Sequence, residues 1–295
     1  MPQQNDDIRV ASGFRLDFAP HLGFPTPATP LFGALAGSIE VEAQVALIAS
    51  LGFQRVQDPF AAARSEADQA LVGRATRAAG LGLGCFVFAP MAEAMGTGWL
   101  ARDEAGFAEL DALVEKAMAI GERIGSRHIA VLTGRDPHRA PAEQRDALAA
   151  NLSRLAGRVA ERGMMFCLEA VSAQRLPQML LHQIDDAAVV VRAVGDPAVR
   201  LIFDTAHVQA MSGDILGNLD RTWELIELIQ LADHPGRVEP GAGELNFVTI
   251  IDEIERREFN GPVELEHGWS TSGPEVQENY VRWLSRWSRN NEEKR

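Results

Sequence analysis

Residues Leu228–Ile254 read LIQLADHPGRVEPGAGELNFVTIIDEI and contain a complete strand–loop–helix unit. Leu228–Leu231 is a short apolar run of the kind that forms a buried strand, and a loop rich in glycine, proline and charge follows it. Asn246 is a good helix N-cap. The residues after it have the spacing of one helix face: Phe247, Ile250, Ile251 and Ile254. The stretch therefore predicts a buried strand, a charged loop and a helix, in that order.

The same alternation of short apolar runs and longer amphipathic segments fills the chain. Eight runs are predicted to be strands: Phe14–Phe18, Arg55–Gln57, Leu83–Phe88, His128–Leu132, Met165–Leu168, Arg200–Phe203, Leu228–Leu231 and Val263–Glu266. Helical patterns lie between them, for example residues 41–48, which are followed by Gly52, and the long segment from about Glu104 to Gly125. Eight strand–helix units without a polar linker predict an α/β fold, a single (β/α)8 TIM barrel over residues 1–295 with a frayed polar tail at about 289–295.

A doubly wound open sheet is the alternative α/β architecture. That fold often carries a G-x-G-x-x-G phosphate loop after its first strand, and no such motif follows a strand near the N-terminus. The glycines of Leu81–Gly84 lead into a predicted strand rather than a helix. The pattern therefore favours the barrel.

Composition limits the partners that the chain can have. Its 295 residues are 46% hydrophobic and 23% charged, with a formal net charge of −13. This charge disfavours nucleic-acid and anionic-membrane partners, because phosphate binding requires a clustered basic surface. Cys85 and Cys167 both lie in apolar runs, and the polar N-terminus is unlike a secretory or transit signal. We expect a cytoplasmic protein that binds a small anionic or sugar-like substrate, with homo-oligomer formation left open.

Polar residues end four consecutive predicted strands in the second half of the chain. They are Glu169, Asp204, Gln230 and Glu266, and neighbours in this set are about one strand–helix unit apart. In a (β/α)8 barrel the carboxyl ends of the strands form the rim that carries the active site. We therefore expect these four side chains at one rim.

Three carboxylates and an amide oxygen would suit a divalent cation, with Mg²⁺ or Mn²⁺ as the first choice. A structural alternative is that each acid only caps a helix or pairs with a lysine or arginine, which is the more ordinary role for a single acid. Four such residues in consecutive strands favour the cation, because carboxylates crowded at one rim repel each other without one.

Four segments resemble hydroxypyruvate isomerase and its relatives in the xylose-isomerase-like sugar isomerase/epimerase superfamily of barrels. The resemblance is dense from about Met164 to Trp269, and the loop His234–Phe247 (HPGRVEPGAGELNF) is its most specific part. The segments are Glu169-Ala170, Phe203–Gln209 (FDTAHVQ), Gln230–Glu244 (QLADHPGRVEPGAGE) and Leu265-Glu266. One departure is Gln57, which ends the second predicted strand where these relatives tend to carry glutamate.

The resemblance implies a role for each candidate residue. Glu169, Asp204, Gln230 and Glu266 match the family's metal ligands. Glu169 and Glu266 also match its acid/base pair, with Glu169 as the leading base. His207 and Arg237 match positions that contact the substrate.

The implied activity is a metal-dependent isomerisation of a small hydroxy-oxo acid through an enediolate, with hydroxypyruvate and tartronate semialdehyde as the reacting pair. Alternatives within the superfamily are isomerisation of a related 2-oxo sugar acid and C3-epimerisation of a free ketose. The guanidinium of Arg237 favours a substrate with a carboxylate. The net charge and the seven histidines spread over the chain count against a metal-dependent endonuclease. A non-catalytic sugar-binding barrel is the alternative outside enzymes.

Overall fold

The computed structural model describes residues 8–10 and 12–290. Short parallel strands alternate with helices through this part of the chain. The strands are β1 (Asp17–Pro20), β2 (Arg55–Val56), β3 (Gly82–Leu83), β4 (Phe86–Val87), β5 (His128–Val131), β6 (Met165–Glu169), β7 (Val199–Asp204), β8 (Ile226–Leu231) and β9 (Pro262–Leu265).

A curved sheet of seven strands has the order β1-β9-β8-β7-β6-β5-β4, and β2 pairs with β3 in a second sheet of two strands. A parallel bridge between His21 and Gln57 links the chain after β1 to the chain after β2. The last strand lies beside the first, and the order between them follows the chain without the reversal that a doubly wound sheet has. The α/β prediction is therefore confirmed, and the doubly wound alternative does not fit.

Two predicted strands differ from those in the structure. The predicted strand Leu83–Phe88 is broken into β3 and β4, because the backbone N–H of Cys85 donates to Glu264 Oε1 (2.6 Å) instead of to a neighbouring strand. A Cβ at Gly84 would lie 2.3 Å from the same oxygen, so the break needs glycine there. The first strand begins at Asp17 rather than Phe14, because Phe14 instead forms an antiparallel bridge with Ser288.

The helices alternate with the strands along the described part of the chain. They are α1 (Gly33–Ala36), α2 (Val41–Ser50), α3 (Glu66–Ala78), α4 (Met91–Ala94), α5 (Glu104–Ile124), α6 (Pro141–Glu161), α7 (Ile184–Val194), α8 (Thr205–Met211), α9 (Ile215–Thr222), α10 (Phe247–Arg256) and α11 (Pro274–Leu284). None of these described helices has the length and low charge that crossing a bilayer requires.

The predicted helix ends are also found. The Asn246 side chain accepts a hydrogen bond from the Thr249 N–H at the start of α10, and Gly125 ends α5 in the left-handed conformation. Of the predicted polar tail, residues 291–295 lie outside the described part of the chain. That residues 1–295 form one domain stays a prediction.

Strand pairing sets the position of the candidate site. Glu169 and Asp204 are the last residues of β6 and β7, and Asp204 pairs in register with Gln230 of β8. Glu266 directly follows β9. Since these strands are parallel neighbours, their carboxyl ends bring all four side chains to one end of the sheet.

Candidate active site

Arg237 connects two of the predicted metal ligands. Its Nη2 atom lies 2.7 Å from Asp204 Oδ2 and 3.0 Å from Glu266 Oε1. All three side chains are buried. The guanidinium thus supplies positive charge to two carboxylates that water cannot fully solvate.

Glu169 and His207 lie beside these groups. We call Glu169, Asp204 and Glu266 the acidic cluster. His207 Nε2 is 3.6 Å from Glu169 Oε1 and 3.2 Å from Arg237 Nη1. The position of His207 follows from local helix geometry, because Asp204 caps α8 and accepts a 2.8 Å hydrogen bond from the backbone N–H of His207. Ligand atoms of Glu169, Asp204 and His207 lie within 4.8 Å of one another.

Gln230 has a fixed amide. Its Nε2 donates to Glu266 Oε2 (2.5 Å) and to Glu264 Oε2 (3.1 Å). Because two carboxylates take the amide hydrogens, its Oε1 is left buried and without a hydrogen-bond partner. An oxygen in this state is a ready ligand for a cation, since burying it without a partner costs free energy.

Glu264, Cys85 and Gln57 lie in the layer beneath this site. Glu264 is fully buried and accepts hydrogen bonds from the Cys85 backbone N–H at 2.6 Å and from its thiol at 3.0 Å. Gln57 donates to Glu266 Oε2 at 2.6 Å. Sequence reasoning did not assign a role to Glu264, although its spacing of two residues from Glu266 would have placed both on the same face of a strand.

The pKa values of Glu169 and Asp204 are shifted in opposite directions. Burial first, then the negative charges of Glu266 and Asp204, raise the pKa of Glu169 well above its ordinary value. Burial also acts to raise the pKa of Asp204, but Arg237 and His207 outweigh it and the pKa is lowered. The pKa values of these two carboxyl groups are therefore shifted in opposite directions, a separation typical of sites that move protons.

Two further groups have pKa values shifted mainly by burial. The pKa of His207 falls to about 4, although the charge of Asp204 acts in the other direction. The pKa of Glu264 rises to about 7, although its hydrogen bonds from Cys85 lower it. His207 is therefore neutral near pH 7 and can both donate and accept a hydrogen bond.

A cavity of about 210 Å³ opens over the cluster. Glu169, Gln230, Glu266, His207 and Arg237 all reach it. Phe24 and Phe60 form an apolar wall, with their rings stacked at 5.9 Å, and the guanidinium carbon of Arg237 lies 5.1 Å from the Phe24 ring centroid. The cavity is small, mostly apolar and charged at one end, which suits a small polar ligand.

The loop that carries Arg237 is organised by Asp233, a residue that sequence reasoning passed over. One carboxylate oxygen of Asp233 accepts hydrogen bonds from the N–H groups of Gly241 and Gly243, each at 2.9 Å. A Cβ at Gly243 would lie 2.4 Å from the carbonyl oxygen of His234, so the glycine allows the loop to close on itself. These contacts hold the backbone that aims Arg237 at the cluster.

The donor set of the cluster fits a divalent metal ion. Glu169, Asp204 and Glu266 offer carboxylate oxygens, and Gln230 offers its unpartnered amide oxygen. His207 lies close enough to be a further ligand. Oxygen-rich sets of this kind suit Mg²⁺ or Mn²⁺, and one histidine also admits Zn²⁺.

The structure brings all six predicted site residues together, and their individual roles stay predictions. It also adds Arg175, which reaches the same cavity from the loop after β6. The sequence carried no signal for Arg175, because a loop arginine has no periodicity to follow.

Comparison with protein-family models matches residues 45–289 to the xylose isomerase-like TIM barrel family. The chain belongs to this family. Its TIM-barrel fold agrees with the parallel strand order described above.

Curated relatives have related names. A human protein named "Putative hydroxypyruvate isomerase" is 31% identical over 256 residues, which cover 83% of this chain and 89% of the human protein. Hydroxypyruvate isomerase of Escherichia coli is 27% identical, covering 58% of this chain and 65% of that enzyme. The 2-oxo-tetronate isomerase of Cupriavidus necator is 28% identical, covering 54% and 62%. The two bacterial matches span less than two thirds of those enzymes.

Solved structures share the fold. A family 2 AP endonuclease from Brucella melitensis superposes with a TM-score of 0.77 at 20% identity, covering 92% of this chain and 99% of the other. The IOLI protein, whose structure holds a zinc atom, superposes with a TM-score of 0.65 at 14% identity, covering 94% and 96%.

Proposed function

We propose that this protein is a metal-dependent isomerase of a small hydroxy-oxo acid, with hydroxypyruvate and tartronate semialdehyde as the reacting pair. The observation that carries the proposal is the cluster of Glu169, Asp204 and Glu266 around Arg237, at the carboxyl ends of neighbouring strands. The isomerase class is supported by the names of the curated relatives, of which the human protein is 31% identical over 83% of this chain.

Glu169, Asp204, Gln230 and Glu266 would hold the metal ion, and His207 lies close to the same oxygens. The ion would supply positive charge that stabilises an oxyanion beside the reacting carbon. Mg²⁺ or Mn²⁺ is the choice that we propose. A metal in this protein is in keeping with the zinc atom bound in the structure of the IOLI protein, which shares this fold.

Glu169 acts as the base that removes a proton from the hydroxymethyl carbon of hydroxypyruvate. The electron pair of that C–H bond forms the carbon–carbon double bond of an enediolate. Return of a proton to the former carbonyl carbon, from Glu169 or Glu266, gives tartronate semialdehyde. The hydroxyl proton moves between the two oxygens, for which neutral His207 is the relay. The raised pKa of Glu169 matches a group that must hold the proton between the two steps.

Arg237 binds the substrate carboxylate in this proposal. Its planar guanidinium is held in place by Asp204 and Glu266, so little conformational entropy is lost when an anion binds. The Phe24 ring lies over the guanidinium, with its centroid 5.1 Å from the guanidinium carbon.

A second candidate is isomerisation of a four-carbon 2-oxo acid. The 2-oxo-tetronate isomerase relative favours it, and the chemistry of proton transfer is the same. Cytoplasmic location, the absence of a nucleic-acid partner and the oligomeric state stay predictions.

The proposal is tested by hydrogen exchange in deuterated water. Purified protein with Mg²⁺ or Mn²⁺ is incubated with hydroxypyruvate, four-carbon 2-oxo acids and free ketoses, and carbon-bound deuterium is followed by NMR. Enolisation of a hydroxy-oxo acid is expected. Exchange of only free ketoses would instead make the protein an epimerase, and exchange of none would end the isomerase proposal.

A further inference from the structure

Arg175 lies in the loop between β6 and α7 and contributes to two cavities. One is the cavity over the acidic cluster. The other, which we name the arginine cavity, measures about 170 Å³ and is lined by Ser172, Arg175, His207, His234 and Arg237, among others. Arg175, His207 and Arg237 are shared by both cavities. The two arginines therefore stand at the junction between the acidic cluster and a neighbouring basic space.

The charge at this junction is unusual for the protein. The chain carries 41 acidic and 28 basic residues, so most arginines can find an acid. Within the described residues, the Arg175 guanidinium makes no ion pair with an aspartate or a glutamate. Burial, and after it the positive charge of Arg237, lower the pKa of Arg175. Placing two guanidinium groups near each other costs free energy unless an anion joins them.

Arg237 has one hydrogen-bond donor without an acceptor. Its Nη1 and Nη2 atoms contact His207, Asp204 and Glu266. Its Nε is buried and has no hydrogen-bond partner. A side chain that is only 7% exposed rarely leaves an N–H without an acceptor, because the lost hydration is not replaced. An anion would satisfy this donor.

We infer that Arg175 and Arg237 together form an anion subsite in the arginine cavity that receives the carboxylate of the substrate. The inference rests on the proposed function and defines its substrate class as acids rather than neutral ketoses. The hydroxy-oxo end of the substrate then lies over the acidic cluster, and its carboxylate is held away from Glu169, Asp204 and Glu266, which would repel it. Ser172 and His234 offer further donors around the anion.

The roles of the two arginines differ. Arg237 is buried and held by two carboxylates, so it fixes the position of the anion. Arg175 is on an exposed loop, makes no ion pair within the described residues and feels Asp204 and Glu266 only as charges at a distance, so its main effect is to attract the anion. Loss of Arg175 should therefore weaken binding of an acid while leaving the proton-transfer step nearly unchanged.

The test compares hydroxypyruvate with dihydroxyacetone, a neutral three-carbon hydroxy-ketone that lacks the carboxylate. Deuterium exchange is measured for the wild type, Arg175→Gln and Arg74→Gln, an exposed arginine on α3 that serves as the charge-matched control. Arg175→Gln is expected to raise KM for hydroxypyruvate by about 10-fold to 100-fold, with kcat changed by less than about 3-fold. The kcat/KM for dihydroxyacetone should not change, and Arg175→Lys should restore part of the loss.

An unchanged KM in Arg175→Gln, or an equal loss with Arg74→Gln or with dihydroxyacetone, would overturn the subsite. If the wild type catalyses no exchange, the proposed function fails. The existence of the anion subsite is then tested separately by calorimetry, which measures the affinity for malonate, an unreactive anion. Malonate binding that is weakened in Arg175→Gln but not in Arg74→Gln would support it. Equal binding by all three proteins, or no binding, would reject it.

Discussion

Arg237 donates from Nη2 to Asp204 Oδ2 at 2.7 Å, and the same nitrogen lies 3.0 Å from Glu266 Oε1. A single guanidinium nitrogen thus bridges two carboxylates that are expected to bind a divalent ion. A bound ion would compete with Arg237 for the same oxygens, so we expect the stability of the cluster, its metal affinity and the position of the substrate anchor to be coupled. Each can be altered by changing a single residue.

Arg237→Gln should destabilise the protein in the presence of a chelator by about 3–5 kcal/mol, because it leaves buried carboxylates without their counter-charge. Added Mn²⁺ should raise the melting temperature of this variant more than that of the wild type, since the ion replaces the lost charge. Thermal melts with and without metal measure both effects, and Arg74→Gln is the control. Equal metal-dependent shifts in the variant and the wild type would contradict the coupling.

Glu169→Gln should slow deuterium exchange into hydroxypyruvate by about 10²-fold to 10⁴-fold at saturating metal, the range expected for loss of a general base. The fold should persist, because the amide keeps the shape of the side chain. Exchange rates and circular dichroism are measured beside Glu161→Gln, which changes an exposed glutamate at the end of α6. A variant of Glu169 with normal exchange would remove this residue from the base role.

Glu264→Gln should weaken metal binding by about 10-fold to 100-fold, as is usual when a partner of a metal ligand is changed. Glu264 accepts from the Gln230 amide and so keeps Oε1 of Gln230 free for the ion. A glutamine at 264 can present its own NH₂ group and allow that amide to turn. Calorimetric titration with Mn²⁺ checks this, with Glu227→Gln as the control, because Glu227 lies in β8 but contacts His128 instead. Wild-type affinity in Glu264→Gln would show that Gln230 does not need this partner.

His21 should make stability depend on pH. Its Nε2 donates to the carbonyl oxygen of His267 at 3.0 Å, and burial lowers its pKa from 6.5 to about 4. As the pH falls, His21 takes up a proton in the unfolded chain before it does so in the folded protein. The contribution of neutral His21 to the free energy of unfolding is therefore complete above pH 6.5 and is lost between pH 6.5 and about 4. The loss is on the order of 3 kcal/mol.

The variant His21→Gln isolates that effect, because glutamine can keep the donor and does not titrate in this range. The free energy of unfolding of the wild type, relative to the variant, should decrease as the pH is lowered from 7 to 4. Denaturant unfolding at several pH values gives this difference directly. A difference that does not vary with pH would show that His21 is not buried in the neutral form.

The sequence allowed the fold and the rim residues to be predicted because both follow from local pattern. Asp204 and Gln230 each end an apolar run, and parallel pairing brings them together in register. The break between β3 and β4 could not be predicted, because it depends on Glu264 reaching across the barrel to Cys85. The contacts of Arg237 with two proposed ligands, and the position of Arg175, also depend on how loops fold over the sheet.

The most direct measurement of the central claim is the rate of deuterium exchange into hydroxypyruvate by metal-depleted protein during titration with Mn²⁺ or Mg²⁺. We predict negligible exchange after chelation and full recovery as one equivalent of metal per chain is bound, with no recovery in Glu169→Gln. Exchange at the full rate in protein that is shown by elemental analysis to be metal-free, or recovery in Glu169→Gln, would contradict a metal-dependent isomerase that uses this cluster.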